Sequence, residues 1–225
     1  MIINFEDIND LHIANKAGLK TRWKDFHIIR NESVSTEHVK HMPSHRCDFH
    51  QICLDLESDY TIGLDDQNKR ITNNNLYFIP KGTILSWESI HDHLWRGYTI
   101  FFKPEFLSND GFHPSSYLFA SLKPSVWVLN QNQLIHLSGF CEQMLEEQAL
   151  ELGDVRGVLK DWFSLFLQYC DRYYSLKEET DHNYELKLKY KFQELLNFNV
   201  ENEHSVSFYA DALNISPRHF TRQIK

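Results

Sequence analysis

The spacing of apolar and polar residues divides the chain into a strand-rich first part and a helical second part. From Phe49 onward, short apolar runs with alternating polarity recur at roughly 8–12-residue intervals and are separated by turn residues. Strands are predicted over residues 23–30, 49–56, 60–64, 76–79, 84–87 and 95–102. Repeated short strands of this kind are typical of an antiparallel barrel or sandwich.

Beyond about residue 130, apolar positions recur every three or four residues, which is the helical period. They predict one helix over 131–150 and a second over 155–174, separated near Gly153. The second helix is apolar over much of its girth, so it must be covered on more than one side. The barrel and the preceding helix can supply that cover, or a partner subunit can add to it. The pattern leaves both alternatives open.

Composition and charge then narrow the class of protein. The 225 residues are 42% hydrophobic and 24% charged, as in ordinary globular proteins, which excludes disordered and collagen-like chains. The formal net charge of −8 argues, taken alone, against a surface built for nucleic acid. No signal peptide and no membrane-spanning stretch is recognisable. We therefore expect a cytoplasmic protein with reduced cysteines and no membrane partner.

The last twenty residues predict two short helices joined by a tight turn. Ser205 or Ser207 can cap the first helix, and Ser216 followed by Pro217 is a favoured start for the second. Asn214 lies just before that start, and asparagine tolerates the left-handed backbone that often ends a helix. These residues locate the turn from local chemistry alone.

The second of these helices has one apolar face and one basic face. Phe220 and Ile224 are four residues apart and so share the predicted buried face. The outer face carries no acid, and its residues are Arg218, Thr221, Arg222 and Lys225. Residues 184–225 hold six basic and five acidic side chains, a net charge of +1. The excess acid therefore belongs to the preceding part of the chain.

This C-terminal segment resembles the first helix-turn-helix of AraC-family transcription regulators. The shared pattern is an aromatic-Ala pair, a Leu, a Ser-Pro turn and basic residues along the second helix, here Tyr209-Ala210, Leu213, Ser216-Pro217, Arg222 and Lys225. The resemblance implies that the second helix lies in the major groove. Arg218, Thr221 and Arg222 would then face base edges, and Lys225 would contact phosphate.

The first part of the chain is similar to the cupin-like sensor barrel of the same family, in segments 45–52, 76–82 and 97–102. The resemblance implies an α+β fold: a cupin-like antiparallel β-barrel, two dimerisation helices over 131–150 and 155–174, and a partial all-α helix-turn-helix domain. The expected domains are 1–174 for ligand sensing and dimerisation, a linker over 175–183, and 184–225 as the N-terminal half of the DNA-binding domain. The family has a second helix-turn-helix that this sequence lacks, so we expect this chain to bind operator DNA weakly or not at all.

The implied function is ligand-responsive, sequence-specific regulation of transcription, with promoter DNA, a small-molecule effector and a second copy of the chain as partners. We expect no enzyme activity, cofactor or metal. Candidate effector ligands are barrel residues that combine an aromatic body with a polar tip, and Arg46 is a candidate anchor for an anionic ligand. The full set is Arg46, His50, Tyr77, Trp87, Trp95 and Tyr98.

Two other functions stay open. The 13 histidines raise the hypothesis of a metal-dependent cupin enzyme, and His91-Asp92-His93 has the first spacing of such a site. The glutamate expected shortly afterwards is missing, because those positions are Gly97 and Tyr98. His45 and His50 are five residues apart, which points them to opposite faces of an extended strand. The third hypothesis is a sensor or dimerisation module without DNA binding.

Overall fold

The computed structural model describes residues 2–107, 124–177 and 203–223, together with residues 188, 191, 192, 195, 196 and 199. The side chains of residues 92–94, 125, 174–177 and 223 lie outside this description. The chain divides into two compact units, the first ending at Phe166 and the second beginning its main segment at Leu167. That division falls inside the second predicted helix, before the expected limit at residue 174. The expected domain and linker limits stay predictions.

One sheet of eight described strands builds the first unit. The strands are β1 (Ile3–Phe5), β2 (Phe26–Arg30), β3 (His45–Cys47), β4 (His50–Leu64), β5 (Gln67–Ile71), β6 (Asn75–Ile79), β7 (Leu85–Phe102) and β8 (Ser125–Val128). Their order is β1-β3-β7-β4-β6-β8, with β2 paired to β7 and β5 paired to β4. Among these strands, β1 and β8 end the path with one partner each, so the expected barrel is not closed. The pair β1–β3 is parallel, which also departs from the all-antiparallel expectation.

Two long strands replace four of the predicted short ones. Residues 49–56 and 60–64 were expected as separate strands, but β4 runs through both, and β7 likewise joins 84–87 to 95–102. The register between β4 and β7 shifts at three places, between Asp55 and Glu57, between Ser58 and Tyr60, and between Thr61 and Ile62. Such bulges bend a strand without ending it, so polar residues that resemble turns remain in the sheet.

Four helices accompany the sheet: α1 (Ile8–Ala14), α2 (Thr36–Lys40), α3 (Gln131–Gln148) and α4 (Val155–Lys177). The helices predicted over 131–150 and 155–174 are confirmed, although α4 continues to Lys177. The part of α4 within the first unit packs on the outer face of the sheet, where the Phe163 ring lies 5.4 Å from that of Phe26 and 4.9 Å from that of Phe102. The four cysteines are free and buried.

The second unit contains α5 (Val206–Ala212) and α6 (Pro217–Gln223). Tyr209, Ala210 and Phe220 form its buried core, against which Phe192 and Leu196 pack. No described helix in either unit is long and apolar enough to cross a membrane.

Candidate functional site

The inner face of the sheet encloses a narrow space that we call the interior cavity. It lies between two apolar clusters, one around Phe49 and Phe101 and the other around Ile62 and Tyr77, and its volume is about 40 Å³. The lining is apolar with a few neutral polar side chains, and the latter include Asn15, His45, Gln51, Tyr77, Trp87, Trp95 and Thr99. The cavity is therefore uncharged at its wall among the described residues.

A fully buried carboxylate lies directly behind this wall. Asp55 is completely inaccessible, and its Oδ2 accepts a hydrogen bond of 2.7 Å from the Tyr60 hydroxyl. Its Oδ1 accepts from Trp95 Nε1 at 3.0 Å and from Asn31 Nδ2 at 3.3 Å. Three donors converge on one carboxyl group, and their hydrogen bonds offset part of the cost of burying it.

Besides the direct hydrogen bond from Trp95, which lines the cavity, the network continues from Asp55 to the cavity along two longer paths. The Tyr60 and Tyr77 hydroxyl oxygens are 2.6 Å apart, and because Tyr60 donates to Asp55, Tyr77 donates to Tyr60. On the other side the Thr99 hydroxyl donates to Asn31 Oδ1 at 2.7 Å. Tyr77 and Thr99 both line the cavity, and each is connected to Asp55 through one intervening side chain.

Burial controls the protonation of this network. Loss of solvation raises the pKa of Asp55 to about 7, although its hydrogen-bond donors oppose the rise. Burial also raises the pKa of Tyr60 and of Tyr77 well above the ordinary value, so both stay protonated. Asp55 is thus the group in this network that changes its charge near neutral pH.

Three of the six residues predicted to bind an effector line the cavity, and the other three do not. Tyr77, Trp87 and Trp95 line it. Arg46 is exposed, because the alternation of β3 points its neighbour His45 inward instead. These positions show where each side chain lies, and their role in binding stays a prediction.

The other two residues predicted to bind an effector, His50 and Tyr98, lie on the outer face of the sheet. The His50 ring stacks against Phe78 and Phe102, at 5.4 and 5.2 Å between centroids. The Tyr98 hydroxyl donates to Glu142 on α3, and Arg30 forms an ion pair with the same carboxylate. Tyr98 therefore joins the sheet to a helix rather than lining the cavity.

Asp55 was missed in the sequence, although a signal for it exists. Gln51, Cys53 and Asp55 alternate along β4, and the first two line the cavity. The same alternation carries Asp55 to the inner face. An acid at an inward position of an apolar strand therefore indicates a functional or network role.

A pair of buried histidines lies on the inner side of the sheet, as Asp55 does. His12 Nε2 and His27 Nδ1 are 2.7 Å apart, and burial lowers the pKa of His12 to about 4 and that of His27 to about 3. In the described part of the chain, no group of three or more His, Cys, Asp or Glu side chains could hold a metal ion. The side chains of Asp92 and His93 fall outside that part.

The second candidate site is the turn between α5 and α6. The Ser205 hydroxyl accepts from Phe208 N at 3.3 Å, and the Ser216 hydroxyl accepts from His219 N at 3.2 Å. Asn214 has a φ of +55°, which is the left-handed backbone expected there. The sequence signals for both helix starts and for the turn are therefore confirmed.

The outer face of α6 is basic, as the sequence indicated. Arg218, Thr221 and Arg222 are exposed, whereas Phe220 is buried. Arg222 Nη2 lies 3.1 Å from His219 Nδ1, and the Thr221 hydroxyl donates to Pro217 O at 2.9 Å. Lys225 and Ile224, which were expected on the outer and buried faces, lie outside the described residues.

No protein-family model and no curated protein matches this chain. Among solved structures, it is similar to an apo ToxT variant from Vibrio cholerae strain SCE256, with 13% identity and a TM-score of 0.43 over 91% of this chain and 76% of that one. It is also similar to wild-type ToxT from the same strain bound to unsaturated fatty acid, with 12% identity and a TM-score of 0.36 over 92% and 75%. A third is the AraC-like transcriptional activator CuxR, with 12% identity and a TM-score of 0.34 over 89% and 66%.

CuxR is an AraC-like protein, and AraC-family regulators are the class that the C-terminal motif of this chain resembles.

Proposed function

We propose that the chain is a ligand-responsive, sequence-specific DNA-binding regulator of transcription of the AraC type. The observation that carries this proposal is the pair α5–α6, whose apolar back is buried on Tyr209, Ala210 and Phe220 and whose front exposes Arg218 and Arg222. A short helix with one basic, acid-free face and a firmly packed rear is the form of a major-groove reading helix.

From their contacts on α6 we propose different tasks for its outer residues. Arg218 and Arg222 have the fork of donors that reads guanine, and His219 beside Arg222 limits the directions that this guanidinium can take. The Thr221 hydroxyl proton is used within the helix. Thr221 therefore offers its methyl group, which suits contact with a thymine methyl. Lys225 is proposed to contact phosphate.

The first unit is proposed to sense a small molecule in the interior cavity. Ile29 of β2 lines the cavity, and the flanking residues of β2 are tied to α3, since Gln148 bonds both backbone groups of Ile28 and Glu142 pairs with Arg30. A ligand that shifts β2 therefore shifts α3. Differential binding to two arrangements of this region would change their populations, which is how an effector regulates.

We also propose that the chain forms a homodimer through α3 and α4. Each helix exposes large apolar side chains, namely Ile135 on α3 at 59% and Val158 and Leu165 on α4 at 39% and 38%. Exposed apolar surface on adjacent elements is typical of protein interfaces. Two copies would place two α6 helices on one DNA duplex.

Binding to DNA can be tested by fluorescence anisotropy with a labelled 30-bp duplex of random sequence. We expect weak, non-specific binding with a Kd of roughly 10⁻⁴–10⁻⁶ M that weakens with salt. On a duplex of random sequence Arg218 and Arg222 pair with phosphates instead of base edges. The double variant R218A/R222A removes these two phosphate contacts, so the slope of log K against log salt should become shallower by about 2.

The matched control is Lys20→Ala, which removes an exposed cation from the first unit and should bind as the wild type does. Equal binding by wild type and R218A/R222A would overturn the role of α6. Tight binding to one selected sequence would instead contradict our expectation of weak operator binding.

A further inference from the structure

The charge around the interior cavity indicates which ligands it can accept. Its described lining contains no Lys, Arg, Asp or Glu. Besides Tyr77, two lining residues can titrate, but burial lowers the pKa of His45 and raises the pKa of Cys53 to about 12, so both are neutral near pH 7. Asp55 reaches the wall through its hydrogen bond from Trp95. Asp55 forms no ion pair with any described residue. A buried carboxylate without a counter-ion attracts a cation and repels an anion.

The aromatic side chains beside Asp55 strengthen that preference. The Trp87 ring lies 5.2 Å from those of Tyr60 and Trp95, and the Tyr60 and Trp95 rings are 6.1 Å apart. Trp95 and Tyr60 both donate hydrogen bonds to the carboxylate, which pushes electron density into their π systems. Rings of this kind bind organic cations over their faces.

An unpaired acceptor belongs to another residue of the cavity lining. Asn15 lines the cavity and is 9% exposed, and its Oδ1 has no hydrogen-bond partner. A buried carbonyl oxygen without a donor is costly, and a ligand N–H group would satisfy it. An ammonium ion supplies both features, because its N–H groups are hydrogen-bond donors and it carries the positive charge that the rings attract.

We propose that the interior cavity binds a small organic ammonium ion, with its N–H groups toward Asn15 and its charge near the rings of Trp87 and Trp95. The proposal rests on the sensor role proposed above for the first unit. The cavity of about 40 Å³ exceeds the roughly 10–15 Å³ that a cavity needs to hold one water. Methylammonium is therefore the size of ligand that fits with little movement of the rings.

Isothermal titration calorimetry of the full chain with methylammonium chloride tests the proposal, with methanol and sodium acetate at equal ionic strength as uncharged and anionic comparators. We expect saturable binding of methylammonium that is at least tenfold tighter than that of either comparator. Asp55→Asn should weaken binding at least tenfold at pH 8, and the exposed Asp66→Asn should leave it unchanged. Lowering the pH from 8 to 6 should weaken wild-type binding, because Asp55 becomes protonated near neutral pH.

Asn15→Ala is the second variant, in case Asp55→Asn does not fold, and it should also weaken binding at least tenfold. The exposed Asn68→Ala is its control. Absence of saturable methylammonium binding, preference for acetate or methanol, or unchanged affinity in both variants would overturn the proposal. The DNA anisotropy assay separates the two claims. If R218A/R222A weakens DNA binding but methylammonium does not bind, only the proposed class of ligand is wrong. If R218A/R222A binds DNA as the wild type does, the proposed regulator is wrong, and the calorimetry alone decides the ligand of the cavity.

Discussion

At the scale of single residues, Asp55 is a buried acid of the first unit whose charge changes near neutral pH. Its pKa of about 7 lies above its ordinary value because burial disfavours the charged form. The folded chain therefore binds a proton that the unfolded chain releases between about pH 4 and 7. Stability from this group is present at low pH and is lost as the pH rises through about 7.

The variant Asp55→Asn isolates this contribution. The stability of the wild type minus that of the variant should fall by roughly 4 kcal/mol between pH 4 and 8, since each pKa unit is worth about 1.4 kcal/mol. The measurement is denaturant unfolding at several pH values, followed by the fluorescence of the five tryptophans, all of which lie before residue 167. A difference that stays flat with pH would show that Asp55 keeps an ordinary pKa.

Single residues also show what the sequence could predict about the cavity. Alternation along a strand correctly indicates an inward Tyr77, and the same rule, applied to β3, would have placed Arg46 outward. Alternation alone could not predict the hydrogen-bond network of Asp55, because its donors Asn31 and Trp95 come from other parts of the chain. A local pattern identifies the face of a side chain, but it does not identify the distant partners that make a buried acid tolerable.

At the scale of elements, α3 stabilises the open edge of β2. Gln148 Oε1 accepts from Ile28 N at 3.0 Å, and Gln148 Nε2 donates to Ile28 O at 2.9 Å. The side-chain amide thus occupies the position of a neighbouring strand, and it blocks an edge that would otherwise be open to pairing.

Replacing this amide by a carboxylate tests the contact. In Gln148→Glu the donor is lost, and a negative charge faces the Ile28 carbonyl, so we expect a destabilisation of about 1–3 kcal/mol in denaturant unfolding. Gln143→Glu makes the same chemical change at an exposed position of α3, where it loses a 3.4 Å contact with Glu146, and it should cost at most about 0.5 kcal/mol. Equal effects of the two substitutions would show that the edge contact contributes nothing.

Elements differ in how far the sequence predicts them, and the difference is physical. The ends of α5 and α6 depend on Ser205, Asn214 and Ser216, whose hydrogen bonds and backbone angles are local, so they could be located. The continuity of β4 and β7 depends on pairing between distant residues, and bulges keep polar positions inside the strands. The short polar strand β5 depends on pairing with β4 in the same way and was not predicted.

At the scale of the whole molecule, the proposed regulator needs two copies of the chain. A single α6 of seven residues offers few contacts, and helix-turn-helix proteins gain affinity by presenting two reading helices about 34 Å apart along the duplex. Val158 and Leu165 are seven residues apart and therefore lie on one face of α4. Trp162 lies between them in sequence, and its ring is 6.1 Å from that of Phe140 on α3.

The double variant V158D/L165D should therefore convert a dimer to a monomer, because two buried charges in each copy would have to lose their water at the interface. Sedimentation velocity across protein concentrations measures this, and we expect the dimer Kd to rise at least tenfold. Ile13 on α1 is 73% exposed, so Ile13→Asp is a matched control for an added surface charge and should leave the dimer intact. A wild-type chain that sediments as a monomer, or a double variant that remains dimeric, would contradict the interface. A monomeric double variant that folds, as shown by its tryptophan fluorescence, should also bind the duplex more weakly than the wild type, because it presents one α6 where the dimer presents two.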